Sequence, residues 1–205
     1  MAKIDFKNEW KHLYRPSKKD FEVVDVPELS FLKVDGHGDP NSAPEYARAV
    51  EALYAAAYKT KFISKKEGRD YVVPPLEGLW WAEDMDSFTS ARDKSQWSWT
   101  MMLMTPDWIS GDMIESARVD AAKGKDLPAL EKLRWEPYRE GLSAQILHLG
   151  SYDDEGPVLA RLHGEWMPAN GYTFNGLHHE IYLSDPRRVE PHKLRTILRQ
   201  PIRKI

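Results

Sequence analysis

The chain has 205 residues and not one cysteine. That excludes disulfides, thiolate zinc sites and a cysteine nucleophile. Long hydrophobic runs are missing as well. The longest uncharged apolar stretches, such as Ala52–Tyr58, fall far short of the roughly 20 residues that span a bilayer. No charge sign dominates: 29 Lys and Arg face 32 Asp and Glu, for a net charge of −3. A dedicated nucleic-acid binder normally carries a basic surplus. The amino terminus is charged from Lys3 onward and does not read as a signal peptide. There is no Gly-x-Ser-x-Gly elbow, phosphate loop or full dinucleotide fingerprint, and Gly36-His37-Gly38 is only a fragment of the last. The expectation is a cytoplasmic protein of one large domain or two small ones, without cofactor, nucleic-acid partner or membrane partner.

What the chain has in quantity is aromatic surface. It holds 8 Trp and 9 Tyr at a mean hydropathy of −0.61. So many amphipathic rings in a polar chain call for a structural reason.

The order of elements repeats. Residues 1–20 are polar and basic and read as an arm. Phe21–Val26 and Ser30–Asp35 read as strands around a Pro27-Glu28 turn. Ser42-Ala43-Pro44-Glu45 resembles a capping box, and Ala49, Val50, Leu53 and Ala57 follow at the spacing of one helical face. A basic link, Lys59–Arg69, leads to strand-like runs at Tyr71–Ala82 and Trp97–Met104. The second half has the same grammar. Arg134–Tyr138 and Ser143–Leu149 flank a Glu140-Gly141 turn, and a cap signal at Ser151 precedes Val158, Leu159, Leu162 and Trp166. Strands at His178–Ser184 and Leu194–Gln200 close the chain. We read repeat one as about residues 21–106, a connecting segment as about 107–133 with a helix over Asp112–Lys123, and repeat two as 134–205. This predicts an α+β domain, duplicated about a pseudo-two-fold, with antiparallel sheets, helices on one face and a ligand cleft on the other.

Aligning the third strands of the repeats sets Glu77 opposite Glu180. Alternation puts Glu180 and Tyr182 on one face and Ile181 and Leu183 on the other; Glu77 shares its parity with Tyr71, Leu79 and Trp81. Trp97, Trp99 and Met101 share a face of the next strand. A cleft with central carboxylates and aromatic walls suits a flat, hydrophobic, cationic molecule. Against this, a strand tryptophan most often packs in a core, and a lone strand glutamate is most often solvated. His178 and Glu180 could share a metal ion, but no second ligand pair with recognised spacing accompanies them, so no metal is expected.

The runs Asp70–Val73, Leu76–Trp81, Glu140–Gln145 and His178–Arg187 (HHEIYLSDPR) resemble the stand-alone branch of GyrI-like proteins, over nearly the whole chain from about Phe21. The resemblance implies duplicated βαββ modules and a small-molecule cleft. It also brings in drug-sensing domains, in which a strand Glu in a Glu-x-Tyr context meets cationic aromatic drugs, a small gyrase inhibitor, and enzymes that hydrolyse cyclopropane-bearing alkylating agents. Glu180-Ile181-Tyr182 matches that Glu-x-Tyr stretch. By this likeness Glu180 is the expected general base and Tyr71 the expected oxyanion donor, with Tyr138 or Tyr182 as substitutes. Glu77, Trp80, Trp81, Trp97 and Trp99 are the expected walls. The partner is then a small hydrophobic aromatic molecule and the protein a monomer or weak dimer. It would hydrolyse strained electrophiles, sequester drugs without reaction or, more remotely, inhibit another protein.

Overall fold

The computed structural model describes residues 3–83 and 93–205. Its chain gathers into two units, one of Met1–Glu9 with Leu29–Tyr138 and one of Trp10–Glu28 with Arg139–Ile205. In chain order the main elements are α1 (Phe6–Glu9), α2 (Lys11–Tyr14), β1 (Glu22–His37), α3 (Pro44–Lys66), β2 (Leu76–Trp81), β3 (Ser98–Thr105) and α4 (Gly111–Ala122). β4 (Arg134–Leu149) follows, then α5 (Gly156–Arg161), which runs through a π-helical turn (Leu162–Trp166) into α6 (Met167–Ala169). The chain ends with β5 (Tyr172–Phe174), β6 (His178–Tyr182) and β7 (Arg195–Lys204). The order β1-α3-β2-β3 recurs as β4-α5-β6-β7, with β5 added, so the fold is α+β and the βαββ module is duplicated.

In the first unit β3 lies between β1 and β2, antiparallel to both, with Gly36 and Trp80 each paired to Trp99. α3 forms because Ala49, Ala52, Leu53, Ala56 and Ala57 recur along one face and are all buried. Pro44 opens the helix where a missing N–H costs nothing, and Lys65 and Lys66 sit at its negative end. The helix covers the sheet face of Leu32, Val34, Trp80, Trp99, Met101 and Leu103.

In the second unit β7 is central. β4 pairs along one side of it, and β6 and β5 share the other in registers two residues apart. Ala144 of β4 and Ile202 of β7 pack with Leu162 and Met167 from the helical segment, beside Phe21, Trp166 and Tyr172. That contact identifies the helix-covered face.

Several sequence expectations change. The two strands expected on either side of Pro27-Glu28 are one 16-residue strand, β1, and the same is true of β4 around Glu140-Gly141. Gly141 keeps a positive φ of 73° inside β4, a conformation that glycine adopts without strain. The basic link is helical as far as Lys66. The residue at the start of α3 is Ala43, with no side-chain cap, so the capping box at Ser42 does not form. Tyr71 lies outside β2, in an isolated bridge to Ile4, because Pro74 and Pro75 cannot donate to a ladder.

Candidate functional site

In the first unit the predicted residues divide between the two sheet faces. Trp80, only 5% exposed, stacks on Tyr46 of α3 with ring centroids 6.3 Å apart. Trp99 is fully buried, meets Tyr46 edge-on at 5.3 Å and donates from Nε1 to the Gly38 carbonyl at 3.2 Å. Trp97 meets Trp80 edge-on at 5.8 Å. These three rings therefore belong to the helix-side aromatic core and not to the face of Glu77. Gly36 makes room for the core: a Cβ there would come within 2.0 Å of Trp99.

Glu77, paired with Met102, shares the face turned away from α3 with Leu79 and Trp81. It is 2% exposed. Lys33, opposite the same Met102, lies 5.1 Å from the Tyr138 ring centroid and 3.8 Å from Glu136, and burial pulls its pKa down. Asp35 accepts from Thr100 Oγ1 at 2.7 Å and from Arg134. Burial raises its pKa, but Arg134 and Thr100 outweigh that and hold the carboxyl low. This face thus joins acid, base and aromatic groups. Tyr71 is 1% exposed, its ring edge-on to Trp108 at 6.0 Å, and burial pushes its phenol well above the ordinary range.

The second unit holds Glu180 and Tyr182. Glu180 faces Leu198, and Leu198 faces Ile146, on the sheet face that carries Ala144 and the helical segment. Glu180 therefore lies beneath the helix rather than on the helix-free face that was expected. Alternation along β6 is as read from sequence; what the sequence does not specify is which face the helix takes. Helix-facing positions are Leu76, Gly78 and Trp80 in one unit and His178, Glu180 and Tyr182 in the other. The equivalence of Glu77 with Glu180 is accordingly off by one residue, which for a strand means the opposite face.

Around Glu180 the groups converge. Its Oε1 lies 3.2 Å from His178 Nε2, and its Oε2 accepts from the Tyr182 hydroxyl at 2.7 Å. The carboxylate side chain is 12% exposed. Tyr152 meets Tyr182 edge-on at 5.6 Å. Burial, with the charges of Glu180, Glu155 and Asp185, pushes the Tyr152 phenol up to about 12, so it stays protonated and able to donate. Glu155 is buried. His163, in the π-helical turn with its ring 4.9 Å from Phe174, is pulled down to about 4 by burial and then by His178. A π-helical turn is rare, and where one occurs it often marks a functional site. Among the described residues no three metal-ligating groups come together, and none of the helices is long and apolar enough to cross a membrane.

Sequence reasoning missed Tyr152, Glu155 and His163. The first two lie in a stretch that reads as a helix cap, and only the helix-covered position of Glu180 gives them meaning.

Comparisons with known proteins agree with this architecture. The family pattern of the GyrI-like small molecule binding domain matches residues 19–203. A conserved protein from Listeria innocua is 39% identical, with 98% of this chain and 100% of that one aligned at a TM-score of 0.89. A hydrolase from Listeria innocua is likewise 39% identical over the same shares, at a TM-score of 0.87. The C-terminal domain of EcmrR, 12% identical over 91% of this chain and 98% of its own, shares the fold at a TM-score of 0.56. Among curated proteins none matches. With the family pattern covering almost its full length, the chain belongs to the GyrI-like small-molecule-binding family.

Proposed function

We propose that the chain binds a hydrophobic aromatic molecule bearing positive charge or an electrophilic carbon, anchored by Glu180, and that it hydrolyses strained cyclopropane-bearing members of that class. The observation that carries this reading is the Glu180 carboxylate itself, largely buried yet held between His178 Nε2 and the Tyr182 hydroxyl. A carboxylate kept away from water attracts a cationic or polarised ligand more strongly than a solvated one. The hydrolase from Listeria innocua, at 39% identity, supports reaction in addition to binding.

In the proposed reaction a water oxygen forms a bond to the cyclopropane carbon. The strained carbon–carbon bond breaks, and its electron pair flows into the fused dienone, which becomes an aromatic phenolate. Glu180 takes the proton of the attacking water and later returns it to the phenolate. A protonated phenol stabilises the developing oxyanion. The unit of Glu180 supplies two phenols for that role, Tyr182 and Tyr152. Relief of ring strain and gain of aromaticity provide the driving force, so few catalytic groups are required.

The test is product analysis. Incubation with a cyclopropane-fused dienone should yield the ring-opened water adduct, and Glu180→Gln should slow its formation by a factor of about 100 or more. Equal turnover by the variant excludes the general-base role. Binding of the compound with no adduct from the wild-type protein would favour the second reading, sequestration of hydrophobic cations, which the same carboxylate supports.

A further inference from the structure

β6 carries ionisable groups on both faces. Glu180 lies under the helical segment, while His179 pairs with Arg199 on the reverse face. There His179 Nδ1 is 2.9 Å from Glu140 Oε1, and Arg199 Nη1 donates to Glu140 Oε2 at 3.1 Å. Arg199 Nε donates to Gln145 Oε1 at 3.0 Å. Two donors then leave the sheet for the N-terminal segment: Arg199 Nη2 to the Leu13 carbonyl at 2.8 Å, and Gln145 Nε2 to the His12 carbonyl at 2.7 Å. The segment is tied a third time where the Leu147 amide donates to the Ser17 carbonyl at 2.9 Å. Leu13 and Tyr14 are buried.

Glu140, Gln145, His179 and Arg199 are all 6% exposed or less. Burial would raise the Glu140 pKa, yet His179 and Arg199 outweigh it and hold the carboxyl at about 2. Such a buried ionic group is a weak source of stability, and well-packed apolar residues often serve as well or better. It demands instead that every donor be satisfied. Two of its donors are satisfied by backbone carbonyls of the arm, so departure of the arm takes the acceptors from a guanidinium N–H and an amide N–H. Arm docking and network integrity thus form one cooperative event.

We propose that this network is a latch: docking of residues 11–17 on the reverse face completes it, and the completed network fixes β6 so that His178 and Tyr182 hold the Glu180 carboxylate. Glu140, Gln145 and Arg199 are then positioning residues for Glu180, and the arm is part of the site although it does not touch the ligand. This role rests on the reading of Glu180 as the ligand anchor.

Gln145→Glu separates the parts, since it keeps an acceptor for Arg199 Nε and deletes the donor to His12. Hydrogen exchange by mass spectrometry should show amides of residues 11–15 and of β6 exchanging about tenfold faster in this variant, with the other strands unchanged. Fluorescence anisotropy should show ethidium, a planar cation, binding severalfold more weakly. Glu140→Gln should act in the same direction. Glu180→Gln should weaken ethidium binding and leave arm exchange at the wild-type rate. Unchanged arm exchange in Gln145→Glu overturns the latch. A freed arm with unchanged β6 exchange and unchanged ethidium affinity overturns its coupling to Glu180. Wild-type ethidium affinity in Glu180→Gln would instead overturn the anchor reading, while exchange still decides the latch.

Discussion

Trp99 shows what a single residue contributes here. A fully buried indole on the central strand of its unit requires a neighbour without a side chain, and Gly36, paired with it across the ladder, provides that. Gly36→Ala is therefore an overpacking change. It should destabilise the protein by about 1–3 kcal/mol, read as a lower Tm, and Trp99→Phe in the same chain should recover part of the loss. An additive pair of effects would show that the two residues do not compete for one space. Glu180 is the second instructive residue. Its strand, its Glu-x-Tyr context and its parity with Tyr182 were legible in the sequence, because strand alternation is a local property. The partnership of His178 Nε2 with Oε1 and of Tyr182 with Oε2 follows from the same parity. The aromatic core is where residue-level reading went astray. Trp80 and Trp99 were expected to wall a ligand face, whereas Tyr46 of α3 occupies the space over both rings.

At the scale of elements, α3 extends through what reads as a basic link because lysine is a good helix former and the buried face continues through Thr60, Lys61 and Ser64. β1 and β4 run through residues that read as turns. Pro27 and Gly141 are tolerated there, since a strand accepts them where a ladder bond is not required or a local twist is. These boundaries depend on tertiary pairing, which a local reading cannot see. The same holds for the π-helical turn at Leu162–Trp166. Such a turn amounts to one extra residue in an α-helix, and it sets the spacing between Leu162 and Met167, which both pack with Ala144 and Ile202. Gly164 lies inside the turn, where a side chain would meet nothing within 4 Å, and its deletion should restore regular α-helix. It should also rotate the preceding residues by about 100° per residue removed, the step of a 3.6-residue helix, and carry Tyr152 away from Tyr182. We expect circular dichroism close to wild type together with at least tenfold loss of ligand affinity. Unchanged affinity would detach the helical segment from the site.

For the whole molecule, acid is the informative perturbation. His163 is pulled down to about 4 from an ordinary value of 6.5. The unfolded chain therefore takes up a proton as the pH falls below about 6.5, while the folded chain resists until about 4. Stability is greatest above that window and declines through it, by up to roughly 3 kcal/mol for this one group. Glu140, held at about 2, adds its own loss only below about 4.5. Urea midpoints at pH 7 and pH 5 should differ in the wild type and converge in His163→Phe; an equal difference in the variant would assign the acid sensitivity elsewhere. The duplicated order of strands and helices was evident in the sequence because caps, breakers and apolar spacing recur in both halves. The approach of Tyr152 and His163 to the strand of Glu180 was not, because they come from a separate stretch of the chain. The central claim is that Glu180 holds the charged or electrophilic part of a small aromatic ligand. Its most direct measurement is the Kd of ethidium for the wild-type protein and for Glu180→Gln at pH 7 and moderate ionic strength. The account predicts affinity at least tenfold weaker in the variant, on the order of 1.4 kcal/mol or more. Equal Kd values for the two proteins would contradict it.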